Sequence, residues 1–466
     1  MRSCFPTRTK RSWYVSCPLA LLVGVLSAAL TIAEPAPPGS CDPDGASGPE
    51  QIPSVLNLAD AVQWAIKHNP ALATLRKQRG IAVAGITIAN TYPFNPIVQD
   101  FIWGAGGPSA AGITNRVFNE HTTRLDIEYR GQGRHRRAWA QATLSRTDWD
   151  IATQEVLTGV QVLRAFNTAV YRREKLRVLE QTARLQEEVA GAITRLVEQG
   201  QQPQTELMLA RTDVAEALAA VAPARNTLVV AENDLSRLLG VIDTPYTLEG
   251  TLEKALPPLD ETDLVAEAKR RRPDLHSLEM AVQEAEARVR LEIANRWGNP
   301  SVGPAMEYNE TSVTFVGMWA IWQIPVLNTR RGDIQQRQAE RARAVQAVES
   351  LHVTLRQDVL TALRRLRAAE ETANVFRTQT IPTLRAARAD LDRLFSAGTP
   401  GVTLARVIGI RTRLLAAFNN YLDVLLEMSL AEADLAAAIG DPSLALLPPR
   451  PAPETETAPA PRKVGQ

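Results

Sequence analysis

Apolar residues recur at spacings of three and four through residues 150–199. Val156, Val160, Leu163, Phe166 and Val170 share one stripe, and no proline interrupts it. That period predicts a helix, and about fifty residues of it would reach roughly 75 Å at 1.5 Å per residue. The turn Gln199-Gly200-Gln201-Gln202-Pro203 supplies a glycine C-cap and a following proline. Residues 205–239 then return as a second helix, with Ala215, Ala217, Ala219, Ala220 and Ala222 permitting close helix–helix approach. A similar hairpin recurs near the C-terminus, with the turn Ser396-Ala397-Gly398-Thr399-Pro400-Gly401 and a kink expected at Pro382. By helix content alone, a soluble coiled-coil rod would account for such a pattern.

Other segments change period. Thr123, Leu125, Ile127 and Tyr129 alternate with Arg124, Asp126, Glu128 and Arg130, so an extended strand here has one apolar and one charged face. Val302, Met306 and Tyr308 alternate with Gly303, Ala305, Glu307 and Asn309, and Ile97, Phe101 and Trp103 form a third apolar face. Residues 313–326, with Phe315, Trp319 and Trp322, are apolar on both faces. In a water-soluble sheet such a face covers a core. In a membrane barrel it meets lipid, with aromatics at the interfaces and charges toward the lumen. On the second reading Phe101, Trp103, Leu125, Ile127, Tyr129, Phe315 and Trp319 are the lipid-facing set. Four strands cannot close a barrel, since about eight is the practical minimum, so several chains would have to contribute.

The two halves of the chain repeat. Asn69-Pro70-Ala71-Leu72, a helical stretch and Asn95-Pro96 correspond to Arg272-Pro273-Asp274-Leu275, a helical stretch and Asn299-Pro300. An Ile-Ala-Asn triplet stands at 88–90 and again at 293–295. Glu232-Asn233-Asp234-Leu235 before Gly240 corresponds to Glu432-Ala433-Asp434-Leu435 before Gly440. The expected organisation is an N-terminal linker at 34–55, a first repeat at 56–240, a connector at 241–261, a second repeat at 262–440 and a Pro-rich disordered tail at 441–466. Each repeat reads as a helix, two strands, a long helix, a turn and a long helix. The fold class is therefore mainly α with a small β part.

The N-terminus adds a destination. Arg2, Arg8, Lys10 and Arg11 precede an apolar stretch at 18–33, which predicts a signal peptide over 1–33 cut near Ala33. That stretch is shorter than the ~20 residues a spanning helix needs. No later segment reads as a transmembrane helix, so a membrane protein with this sequence would cross as strands. Cys4 and Cys17 leave with the signal. Cys41 then lacks an intrachain partner and reads as a plain thiol, because Pro38-Gly39-Ser40 is not a lipoprotein cleavage site.

The chemistry of enzymes is not legible here. The 466 residues carry a formal net charge of +1, which argues against nucleic acid as a partner. The five histidines are scattered without ligand spacing, so neither a metal nor a cofactor is expected. The pairs Glu187-Glu188 and Glu370-Glu371 fall on amphipathic helices as solvated faces, and Lys269-Arg270-Arg271-Arg272 ends a helix where cations suit the dipole.

Together, the duplicated Pro motifs, the paired Gly turns and two junction motifs resemble the TolC-type outer-membrane efflux proteins. The junctions are Tyr129-Arg130-Gly131-Gln132-Gly133-Arg134-His135-Arg136-Arg137 and Ile324-Pro325-Val326-Leu327-Asn328-Thr329-Arg330-Arg331-Gly332. The likeness covers about 58–440 and extends to the branch that serves cation pumps. It implies a homotrimer with an internal two-fold repeat: a twelve-stranded outer-membrane β-barrel continued by a twelve-helix periplasmic α-barrel. The partners it implies are outer-membrane lipid, a periplasmic adaptor and an inner-membrane transporter, with passive transport of small molecules or metal ions. It places the gate and adaptor contact at Gly200, Glu206, Gly398, Arg406 and Gly409. Family members often carry acidic residues after the second turn. Arg406 and Gly409 stand there instead, and a ring of three arginines would favour anions. The competing expectation is a periplasmic coiled-coil adaptor or a structural coiled coil, neither of which needs a lipid-type strand face.

Overall fold

The computed structural model describes residues 52–104, 106–107, 112–242, 244–254, 259–397 and 403–445. The expected signal peptide, Cys41, Gly398 and most of the linker and tail lie outside the described residues. In chain order the elements are β1 (Val55–Leu56), α1 (Leu58–His68), α2 (Pro70–Asn90), β2 (Ile97–Gly104), β3 (Val117–Asp126), α3 (Gln132–Glu198) and α4 (Gln204–Leu239). There follow β4 (Thr247–Leu248), α5 (Glu261–Arg271), α6 (Pro273–Ala294), β5 (Ser301–Tyr308), β6 (Thr314–Ile321) and α7 (Arg331–Val375). A π-helical turn (Phe376–Thr380) leads into α8 (Ile381–Ser396), and α9 (Leu404–Ile439) closes the series.

α3 runs 67 residues, roughly 100 Å. It starts at Gln132 rather than near 150, because Gly131 at φ 71° turns the chain into the helix five residues after the strand ends. α4 and α9 are both 36 residues long, and α1 and α5 are both 11. The kink expected at Pro382 is present as the π turn just before it: proline cannot donate its backbone hydrogen bond, and the ladder widens by one residue. α3, its counterpart in the first half, has no proline and no such break.

The opening helix of each half is in fact two helices, split at Pro70 and at Pro273. Proline at the first helical position is tolerated there, since that N–H would lack a helical partner anyway. Asn69 caps the second helix through Oδ1, accepting from Ala71 N at 2.9 Å and Leu72 N at 3.2 Å. Its Nδ2 donates to the Leu238 carbonyl of α4 at 2.8 Å. Each long return helix ends on a glycine with positive φ, Gly240 at 70° and Gly440 at 81°. Both make the paired hydrogen bonds of a Schellman cap: Val241 N to Ser236 O at 3.0 Å and Asp441 N to Ala436 O at 3.1 Å. These glycines press on the proline junctions. A Cβ on Gly240 would meet His68 O at 2.9 Å, and one on Gly440 would meet Arg272 Cα at 2.9 Å. The Pro and Gly motifs of each half are thus two sides of one contact.

The main core lies where α1 and α5 pack on the long helices, with Leu56, Phe166, Leu163, Leu235, Leu363 and Leu425 all buried. Two features depart from the sequence expectation. β1 and β4 pair in parallel, Val55 opposite Thr247 and Leu56 opposite Leu248, which joins the linker to the connector. In addition, α4 is long and apolar enough to cross a membrane, and only 6% of its most apolar window is buried. Val229, Val230 and Leu218 of that helix stand about half exposed. Asp213, Glu216 and Arg225 punctuate that helix in the sequence.

Gly440→Ala should lower the melting temperature by several degrees, since left-handed backbone costs a non-glycine about 1–2 kcal/mol before any clash. Gly409→Ala should leave it level or raise it, because a Cβ there meets open space inside a helix. Thermal unfolding in detergent checks both, and equal losses would contradict the assignment.

Candidate pore face, connector clasp and helical tips

β2, β3, β5 and β6 form one antiparallel four-stranded sheet in that order, so the middle pair joins the two halves of the chain. β3 begins and ends earlier than the predicted 123–130, and Ile127, Glu128, Tyr129 and Arg130 follow it as an irregular lead into α3. β6 is likewise shorter than 313–326, its far end being taken by the Pro325 segment.

Register fixes which side chains share a face. Phe101 pairs with Glu120, Trp103 with Phe118, Glu120 with Glu307, Glu307 with Phe315, and Ser301 with Ile321. Alternation along each strand then puts Phe101, Trp103, Phe118, Phe315 and Trp319 on the face that also carries Glu120, Arg124, Asp126 and Glu307. The opposite face holds Val98, Ile102, Leu125, Val302, Met306, Val316 and Met318. Asp100 and His121 also lie there, 2.6 Å apart.

The predicted lipid-facing set therefore divides. Phe101, Trp103, Phe315 and Trp319 occupy the charged face, Leu125 the opposite one, and Ile127 and Tyr129 lie past the strand end. The aromatics stack among themselves, Phe101 to Trp103 at 5.4 Å and Trp103 to Phe118 at 5.1 Å between ring centroids. The more apolar face is the more open, with Ile102 at 67%, Val316 at 79% and Met318 at 74% exposure.

At the junction with α3, the buried Gln132 donates to Asn299 Oδ1 at 2.8 Å and accepts from Arg130 N at 2.9 Å. It ties the first half's junction motif to the Asn-Pro motif of the second. In the second half Arg330 takes the left-handed position at φ 53°, held by Glu292 at 2.6 Å.

The connector is a clasp across both halves. Arg173 of α3 donates to the Leu248 carbonyl at 2.5 Å, Tyr421 of α9 to Glu253 at 2.7 Å, and Arg367 of α7 to the Leu259 carbonyl at 2.9 Å. Lys254 and Glu432 of α9 form a buried ion pair at 2.9 Å, their side chains 5% and 2% exposed. Burial pushes the Glu432 carboxyl above its usual range, against the pull of Lys254, and its Oε1 has no hydrogen-bond partner among the described residues. Sequence reading missed this pair because each residue sits alone in its own segment. Near it Lys175 and Tyr171 of α3 both reach Asp423 of α9, at 2.7 and 2.5 Å.

At the first tip, Gly200 at φ 72° completes a Schellman cap, with Gln201 N bonded to Leu196 O at 2.9 Å. Glu206 lies exposed in the first turn of α4, where a carboxylate suits the helix dipole. At the second tip, Arg406 is exposed in the first turn of α9, and Gly409 is half-buried one turn on. Among the described residues no group of three or more His, Cys, Asp and Glu is placed to hold a metal ion.

One four-stranded sheet continued by two long helical hairpins is the architecture that the comparisons below match. Residues 62–241 match the family described as outer membrane efflux protein. Among solved structures, CusC is 17% identical with a TM-score of 0.66, over 82% of this chain and 92% of that one. The open-state MtrE channel of Neisseria gonorrhoeae is 16% identical with a TM-score of 0.65, over 85% and 94%. VceC of Vibrio cholerae is 12% identical with a TM-score of 0.64, over 82% and 96%. No curated protein matches the sequence. The first half of the chain thus matches the outer membrane efflux protein family, and the whole shares the fold of these solved channels.

Lys254→Met should lower the melting temperature sharply, because removing one partner of a buried pair costs about 3–5 kcal/mol. Lys254→Met with Glu432→Leu should recover most of that loss. The raised Glu432 carboxyl also sets a pH dependence: the folded chain takes up this proton more readily than the unfolded one. Relative to Glu432→Gln, wild-type stability should therefore rise as pH falls through the raised value and level off below 4.5. Melting curves at a series of pH values measure this.

Proposed function

We propose that the chain is the passive outer-membrane channel of a tripartite efflux pump. The observation that carries this reading is the four-stranded sheet with two unpartnered edges, β2 and β6, and one face almost free of charge. Three copies joined edge to edge would make a closed twelve-stranded barrel. The more apolar face of Val98, Ile102, Leu125, Met306, Val316 and Met318, with the Asp100–His121 pair, would then meet lipid, and the face of Glu120, Arg124 and Glu307 would line the lumen. The same closure would bring α4's open apolar flank against a neighbouring protomer and set the hairpins into a periplasmic tunnel of twelve helices.

On this reading the tips at Gly200 and Gly398 are the gate and the contact for a periplasmic adaptor, which links the tunnel to an inner-membrane transporter. Energy comes from that transporter, and the cargo is a small molecule or a metal ion. Three copies of Arg406 near the constriction would favour anionic or neutral cargo, although the motif order resembles the cation-pump branch. Glu206 at the other tip contributes the opposing charge.

The test is fractionation of the full chain, mass determination of the detergent-solubilised species, and conductance across planar bilayers. An outer-membrane trimer that passes current is expected. A periplasmic monomer or dimer needing no detergent would overturn the reading and favour a coiled-coil adaptor.

A further inference from the structure

Where strands give way to long helices, one arginine lies between two aromatic rings. The Arg130 guanidinium stands 5.4 Å from the Tyr129 ring centroid and 5.3 Å from that of Trp297. Tyr129 continues the stack edge-on to Trp322, at 6.3 Å and 87°. Tyr129, Trp297 and Trp322 are 43%, 41% and 63% exposed. Beyond Trp322 the chain stays apolar and open, with Ile324 and Val326 each 75% and Leu327 100% exposed. Two contributions from the first half of the chain (Tyr129, Arg130) and several from the second thus build one surface.

Its charge is one-sided. Most arginines of the helical region lie against carboxylates, among them Arg76 on Glu155, Arg136 on Glu128 and Arg341 on Glu286. Arg130 has neither an ion pair nor a side-chain hydrogen bond among the described residues, and the exposed Arg134 and Arg331 likewise have no ion pair there. The aromatic rings occupy the flat faces of the Arg130 guanidinium, and its N–H edges are left for an acceptor. The carboxylates nearby in sequence are Glu128, which is taken by Arg136 at 2.6 Å, and Asp333 in the first turn of α7.

We propose that this collar binds the phosphate of anionic phospholipid in the inner leaflet of the outer membrane. The inference rests on the barrel reading above, which puts the strand-to-helix junction at that leaflet. Three features select this occupant. The collar is continuous with the strand face assigned to lipid, through Leu125, Ile127 and Tyr129. Tryptophan and tyrosine beside arginine match the amphipathic boundary between hydrocarbon and headgroup. Arginines without an ion-pair partner among the described residues, beside a Glu128 already held by Arg136, favour a net-negative headgroup over a zwitterionic one.

The test uses the detergent-purified full chain, titrated with dioleoyl phosphatidylglycerol or dioleoyl phosphatidylcholine, with retained lipids counted by native mass spectrometry. Wild type should retain phosphatidylglycerol in preference. Arg130→Gln should cut that preference about fivefold, the equivalent of ~1 kcal/mol per arginine at a membrane surface. Arg130→Lys should restore part of it, keeping the charge while losing the stacked plane. Arg124→Gln, on the sheet's charged face, should leave it unchanged. Equal retention of the two lipids by wild type, or an unchanged preference in Arg130→Gln, would overturn the proposal. Loss of trimer in Arg130→Gln with lipid preference intact would also overturn it, identifying the collar as a subunit contact. A chain that stays soluble without detergent would sink the barrel reading instead.

Discussion

A backbone in hydrocarbon has no water to satisfy its N–H and C=O groups, so every strand there must be bonded on both sides. If this sheet crosses a membrane, only β3 and β5 meet that demand among the described residues. β2 and β6 each present an edge with no strand partner there, on a sheet whose more apolar face exposes Ile102, Val316 and Met318. On the barrel reading proposed above, the architecture below follows from that shortfall: four strands cannot close, and the edges would set the geometry in which further copies join. The helices follow from it, since each strand pair leads through a short irregular segment, ending at Gly131 or Arg330, into a long hairpin.

Such helices would be poorly fixed by hairpin packing alone. Two devices hold them at mid-length. In each half a glycine cap seats on a proline junction, Gly240 on His68-Pro70 and Gly440 on Arg272, so the end of the return helix is pinned to the start of its own repeat. The connector then ties the halves together, touching α3, α7 and α9 through Arg173, Arg367, Tyr421 and the buried Lys254–Glu432 pair. Below this belt the halves differ: α3 is unbroken, while its counterpart carries the π turn, with Phe376 packed 6.0 Å from the Tyr421 ring.

Features that are local in the chain were legible in the sequence. The apolar stripe of α3, the Gly200 cap, the break at Pro382 and the duplicated Pro and Gly motifs each depend on residues close together. Features set by pairing between distant segments were not. Leu125 and Phe101 both look like members of an apolar face, but only the β2–β3 register reveals that they lie on opposite sides. The aromatics fooled the count because stacking, as between Trp103 and Phe118, lets them share a face with Glu120 and Glu307. β1 and β4 are two residues each and carry no pattern of their own. Lys254 and Glu432 are 178 positions apart, and nothing in either segment announces the other.

The most direct measurement of the barrel account is site-by-site quenching along β6. Single cysteines at Phe315, Val316, Gly317, Met318 and Trp319 would carry a fluorophore in the reconstituted protein, challenged with a lipid-soluble and a water-soluble quencher. The account predicts strict alternation: positions 316 and 318 quenched from lipid, and 315, 317 and 319 from water. Uniform quenching from water at all five positions would mean that this sheet does not cross a membrane, and would contradict the account.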